Sequence, residues 1–149
     1  QAYTTDASAL AFIRAKEAPV PDDYLVLPEI ISKEPLGPAV RRGDDEWFAI
    51  VKWTLNALIE AEELGITQAR VDSLKASPDP ALQRFLGVGE DLGKSLGLDR
   101  EWAARAVKAV GNYGEIFNRN VGADSPLKLP RGLNAQWNKG GILYAQPLR

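Results

Sequence analysis

The apolar positions of this chain are most regularly spaced between residues 47 and 61. Trp47, Ile50, Val51, Thr54, Leu55, Leu58 and Ala61 recur at steps of three and four, the period of one helix face. Phe48 and Ile59 widen that stripe, while Asp45, Lys52, Asn56, Glu60 and Glu63 gather on the other side. Asp44 is a good N-cap, Asp45 and Glu46 put negative charge on the first turn, and Gly65 stands in the favoured place for a C-cap. A helix from Asp44 to Leu64 with so wide a stripe is expected to cover a sheet or to lie against several helices. Just before it, Leu36 to Val40 reads as a short strand bracketed by Pro35 and Pro38, and Arg41-Arg42-Gly43 turns the chain.

Weaker patterns flank this centre. Ala2 to Thr5 is β-favouring, and Leu10, Phe12 and Ile13 suggest a helix from Ser8 to Lys16 with Asp6 or Ser8 as its N-cap. Tyr24 to Leu27 reads as a short buried strand closed by Pro28, and Ile30 and Ile31 open a second extended piece. Further on, Thr67 is expected to cap a short helix carrying Val71 and Leu74. Asp79-Pro80 opens another, running through Leu82, Phe85 and Leu86 to Gly87. One helical turn is expected around Asp91 to Leu96. Asp99 should cap the second strong helix, with Trp102, Ala103, Ala106, Val107, Val110, Tyr113 and Phe117 on one side and Gly111 and Gly114 disturbing its last turns. The tail from Asn118 is loop-rich, with a short helix around Leu133 to Trp137.

Composition narrows the function more than the fold. A chain of 149 residues can bury one sizeable core. Its net charge of -2 gives no electrostatic case for nucleic acid or an anionic membrane, and no apolar run approaches a membrane span. Without cysteine there is neither disulfide nor thiolate metal site. Without histidine the commonest general base and metal ligand is missing. Without methionine, even an initiator, the chain reads as a processed or cropped product.

Few residues suggest chemistry. Asp6, in YTTDAS, stands where a strand should end and a helix begin, the place where open α/β sheets bind ligands. It is either a carboxylate for an α-ammonium group or simply the helix cap. Gly93-Lys94-Ser95 ends like a phosphate-binding loop, but the glycine that motif needs is replaced by Val88, no strand precedes it, and Glu90 and Asp91 would repel phosphate. Arg41 and Arg42 read as a solvated strand end. Trp47, Trp53, Trp102 and Trp137 fit core packing better than a stacking groove, with Trp53 the one placed to face a neighbouring element. Glu60, Glu62 and Glu63 read as a solvated helix face.

The stretches EPLGPAVRRGDDEWFAIVKWTLNALIEAEELGI, VGNYGEIFNRNVG, LNAQWNKGGILYAQPLR and QAYTTDASAL together resemble the general L-amino-acid-binding proteins that feed bacterial ABC transporters, solute-binding proteins of the polar-amino-acid type. The resemblance covers essentially the whole chain but only the C-terminal portion of such a protein. It implies an α/β fold: the helix-rich end of a two-lobed type II periplasmic binding protein, with a few short strands. Residues 1–27 would be a remnant of the second lobe, 28–36 the crossover and hinge, and 37–149 the C-terminal part of the first lobe. The implied function is capture of an L-amino acid in the periplasm for an ABC permease, with no reaction catalysed and no cofactor or metal. The implied ligand residues are Asp6, for the ligand's amino group, and Thr5 beside it. Three alternatives stand beside this: an enzyme on the same fold using carboxylates and lysine, a self-associating helical module, or a piece without activity of its own. A homodimer through the unpaired strand and helix face is the expected assembly.

Overall fold

A computed structural model of the chain describes residues 2–34 and 36–148. Pro35, one of the two prolines expected to bracket the strand before the central helix, lies outside the described residues, as do Gln1 and Arg149. Among the described residues five α-helices follow in order: α1 (Ala7–Lys16), α2 (Asp45–Glu63), α3 (Pro80–Phe85), α4 (Trp102–Val110) and α5 (Tyr113–Asn120). Short 3-10 turns join them. The chain divides into two units, Gln1–Gly37 with Phe117–Arg131, and Pro38–Ile116 with Gly132–Arg149, and the division falls inside α5.

The second unit holds the larger core. Its central helix begins as the sequence requires, with the Asp44 carboxylate accepting the Trp47 amide at 3.1 Å. It ends in a Schellman motif. Gly65 turns left-handed at φ 67°, Ile66 N–H donates to Ala61 O, and Gly65 N–H donates to Glu62 O. That turn carries Ile66 into the core beside Ala61, both fully buried. α2 packs on α4 through small residues, Ala57 and Ala61 against the face of Trp102, Ala103 and Val107. Val71, Phe85 and Leu86 close the cluster. Each fully buried large apolar side chain there is worth about 1.5–3 kcal/mol.

Several expectations need correction. No strand forms among the described residues; a single parallel bridge joins Gln136 and Leu143. The segments expected as strands, Tyr24 to Leu27 and Leu36 to Val40, have no ladder, and Leu25 and Leu36 are 82% and 75% exposed. A strand is stable only when its amides and carbonyls meet a partner, and β-propensity cannot supply one. The apolar stripe of α2 is covered only in its C-terminal half, and Trp47 and Phe48 each remain 51% exposed. The region after Thr67 is a turn followed by a 3-10 stretch, Ser73–Ala76, rather than an α-helix. The helix expected from Asp99 is two helices. Gly111, at φ 80°, ends α4, and Asn112 then caps α5 by a reciprocal pair: its Oδ1 accepts Glu115 N–H at 3.0 Å, and Glu115 Oε2 accepts its N–H at 2.8 Å. The Asn112-x-x-Glu115 spacing was readable in the sequence but lay inside an unbroken apolar pattern.

Asn112 and Glu115 also tie distant segments together. Asn112 Nδ2 donates to Ile66 O at 2.9 Å, and Glu115 accepts the Gln68 amide at 3.0 Å. Gln68 Nε2 in turn donates to the carbonyls of Lys108 and Ala109. The turn after α2 is thereby bonded to the end of α4.

On the surface of the same unit, Lys108 Nζ lies 2.7 Å from the Asp72 carboxylate. The hydrogen bond from Lys108 holds the Asp72 carboxyl below its ordinary range, and the same bond raises Lys108. The Asp72 contribution to stability is therefore present above its unfolded value near pH 4 and is lost as pH falls through its lowered folded value. The Lys108 contribution is present below about pH 10.4 and is lost as pH rises through its raised folded value. Both groups are exposed, so salt screens the pair. In Lys108→Ala the Asp72 carboxyl is expected to titrate at a higher pH, read by carbon-detected NMR. An unchanged titration would mean that the pair does not persist in solution.

Candidate functional site

The first unit carries the candidate ligand residues. Asp6 occupies the N-cap position of α1 with extended dihedrals, φ -56° and ψ 145°. Its main-chain carbonyl accepts the Leu10 amide at 2.9 Å, but its side chain makes no capping hydrogen bond. The two readings of this residue thus part company: it is placed as a cap, yet its carboxylate does not act as one. Thr5 precedes it, and both are exposed at the start of the helix. α1 buries none of its own residues. It is held to the following loop by Arg14, whose Nε donates to Pro21 O at 3.0 Å and whose guanidinium lies 3.6 Å from Asp22. A carboxylate at a helix start, unspent on capping, can accept from an ammonium group.

The phosphate-loop decoy is resolved by geometry. Gly93 has an ordinary φ of -69°, but a Cβ there would strike the Asp99 carbonyl. The glycine allows two backbones to touch and does not cradle an anion. The Lys94 amide is already taken by the Asp91 carboxylate at 3.3 Å. Arg41 and Arg42 lie exposed in the turn closed by Gly43. Among the described residues no group of three or more His, Cys, Asp or Glu is placed to hold a metal ion.

The tryptophans separate. Trp102 is a core residue and Trp53 packs against the same cluster, as its position off the main stripe suggested. Trp47 and Trp137 are half exposed, which corrects the expectation of core packing for them. Trp137 stands edge-on to Tyr144 with ring centroids 6.1 Å apart.

Sequence reasoning also misread the polar side of α2. Glu60 and Glu63, which with Glu62 read as a solvated face, and Asn56 on the same polar side receive the C-terminal tail. Asn56 Oδ1 accepts the Gln146 amide at 2.9 Å, Glu60 Oε2 the Leu148 amide at 3.0 Å, and Glu63 the Trp137 indole N–H at 3.1 Å. Between them Gln136, fully buried, donates to Ile59 O at 3.0 Å. The signal was their shared helical spacing, with Asn56, Glu60 and Glu63 one turn apart.

No family model matches the chain. Individual proteins do. The general L-amino acid-binding periplasmic protein AapJ of Rhizobium johnstonii is 62% identical over 99% of this chain. The glutamate/glutamine/aspartate/asparagine-binding protein BztA of Rhodobacter capsulatus is 54% identical over 99% of it. The alignments cover 43% and 44% of those two proteins, so the chain spans less than half their length. A solved periplasmic binding protein of an ABC transporter from Brucella ovis, with glutathione bound, superposes with a TM-score of 0.94 at 55% identity, covering 99% of this chain and 46% of that one. No helix among the described residues is long and apolar enough to cross a membrane. Over less than half of their length, periplasmic amino-acid-binding proteins of bacterial ABC transporters thus match this chain in sequence and in fold, and its helix-rich structure fits a portion of such a protein.

Proposed function

We propose that this chain is part of a solute-binding component that captures an L-amino acid in the periplasm and delivers it to an ABC permease, binding without turnover. The observation that carries this is 54–62% identity to proteins named for amino-acid binding. Asp6 pairs with the ligand's α-ammonium group, and Thr5 lines the same spot. The free Asp6 carboxylate at the start of α1 supports the role. Glutathione, bound by the Brucella relative, ends in a group of the same chemistry, an α-ammonium beside a carboxylate. Residues 1–27 act as second-lobe chain, 28–36 as the hinge that absorbs the dihedral change on closure, and 37–149 as first-lobe chain. The change of unit between Gly37 and Pro38 supports a boundary there, while residues 117–131 group with the first unit.

The test compares this 149-residue chain with a longer protein that contains it. Calorimetry with a panel of L-amino acids should give binding for the longer protein and none at micromolar concentration for the chain alone, because ligand is held between two lobes. A micromolar Kd for the chain alone overturns the division of labour, and no binding by the longer protein overturns the amino-acid reading. One observation favours a second reading, self-association of the isolated chain. Ile30, Ile31 and Leu36 are 75–79% exposed, and Trp47 and Phe48 half exposed. Light scattering on the same sample decides it: a mass twice that of the chain supports a homodimer, and a monomer removes it.

A further inference from the structure

The tail from Gln136 to Leu148 is fastened to α2 by hydrogen bonds from Gln136, Trp137, Gln146 and Leu148, while the amides of Ile142 and Leu143 bond the carbonyls of Leu133 and Ala135. Its buried apolar anchors are two, Ala145 and Leu148. Its deepest polar anchor is half satisfied: Gln136 Nε2 bonds Ile59 O, but Gln136 Oε1 is buried with no partner among the described residues. A buried acceptor left unmade weakens the docked state. Leu148 joins the buried cluster and also forms one wall of a half-open pocket of about 150 Å³, whose other walls are Trp53, Leu92, Ser95, Leu96 and Trp102. One side of the apolar groove between the two indoles is thus closed by a single leucine of a strap held from α2.

We propose that residues 145–148 form a releasable strap, which opens as a unit while α2 and α4 stay folded and uncovers the apolar groove between Trp53 and Trp102. Local opening of this kind belongs to segments with few buried apolar contacts and exposed hydrogen bonds. The strap's own Leu148 is the groove's occupant, and its release is a conformational device separate from the ligand residues at Asp6. The bonds at Gln146 and Leu148 rest on different side chains of α2, Asn56 and Glu60, so each reports the opening independently.

Amide hydrogen exchange read by NMR on the whole chain tests this. In Asn56→Ala, which removes the acceptor for Gln146 and the donor to Lys52 O but leaves the Leu148 acceptor on Glu60, both the Gln146 and the Leu148 amides should exchange roughly three- to tenfold faster, as expected for one lost strap hydrogen bond. The Val107 amide of α4 should not change, and the indole N–H signals of Trp53 and Trp102 should shift with the opening. Asn56→Asp, which keeps the acceptor but loses the same donor to Lys52 O, should restore slow exchange at both strap amides, so that the Gln146 bond and not the Lys52 bond accounts for the effect. Acceleration confined to Gln146 would overturn the proposal, because the strap would not open as a unit. Acceleration that reached Val107 equally would also overturn it, because the strap would then be part of the core.

Discussion

Replacing Asp6 by alanine in a longer protein containing this chain is expected to weaken amino-acid binding by about 3–5 kcal/mol, a hundredfold to several thousandfold in Kd. The size follows from the charge. An ammonium group enclosed between lobes loses its hydration, and removing its counter-charge leaves it buried and unpaired. The structure adds a control. An N-cap aspartate that makes its capping bond costs about 0.5–2 kcal/mol of stability when replaced by alanine. The Asp6 side chain makes no such bond, so the midpoint of unfolding should barely move. Calorimetry and denaturant unfolding on the same variant separate the two roles. Affinity lost with stability kept assigns Asp6 to the ligand. Stability lost with affinity kept returns it to the helix.

Gly87→Ala is expected to cost on the order of 4 kcal/mol or more, the range reserved for core-level defects. Two effects add at this residue. Gly87 ends α3 at φ 71°, in a Schellman motif where Val88 N–H donates to Gln83 O and Gly87 N–H to Arg84 O. A side chain there costs about 1–2 kcal/mol for the left-handed backbone alone. A Cβ would also strike the carbonyl of Arg100, with the Glu101 Cα 3.2 Å away. Those atoms are main chain leading into α4, so no rotamer change relieves the clash. Gly65→Ala is the comparison. Its φ of 67° is nearly the same, but a Cβ there meets nothing within 4 Å, so only the backbone cost of about 1–2 kcal/mol should appear. Urea midpoints for the two variants give the steric part by difference. Equal losses would show that the approach of Gly87 to Arg100 is not tight in solution.

Local chemistry was legible in the sequence wherever the deciding atoms lie within a turn of one another. Asp44 and Asp79 cap α2 and α3 because a cap needs only the next two or three amides. Gly65 and Gly87 stop their helices because left-handed backbone is cheap for glycine. The resemblance carried by the central helix and the closing stretch is matched by relatives and by a fold of the same family. What the sequence could not decide is what each surface meets. The period of α2 marked an apolar stripe, but only packing determined that Ala57 and Ala61 would be buried while Trp47 stayed half exposed. Glu60 and Glu63 looked like a water-facing side because carboxylates are usually solvated. With Asn56 they hold the C-terminal tail because its N–H groups come to lie along that helix from 74 to 90 residues away, the separations of the Trp137–Glu63, Leu148–Glu60 and Gln146–Asn56 bonds. The runs Tyr24 to Leu27 and Leu36 to Val40 show the same limit. The first is rich in β-favouring residues and the second is held extended by its prolines, but a strand exists only by its neighbour, and a neighbour is a property of the tertiary structure.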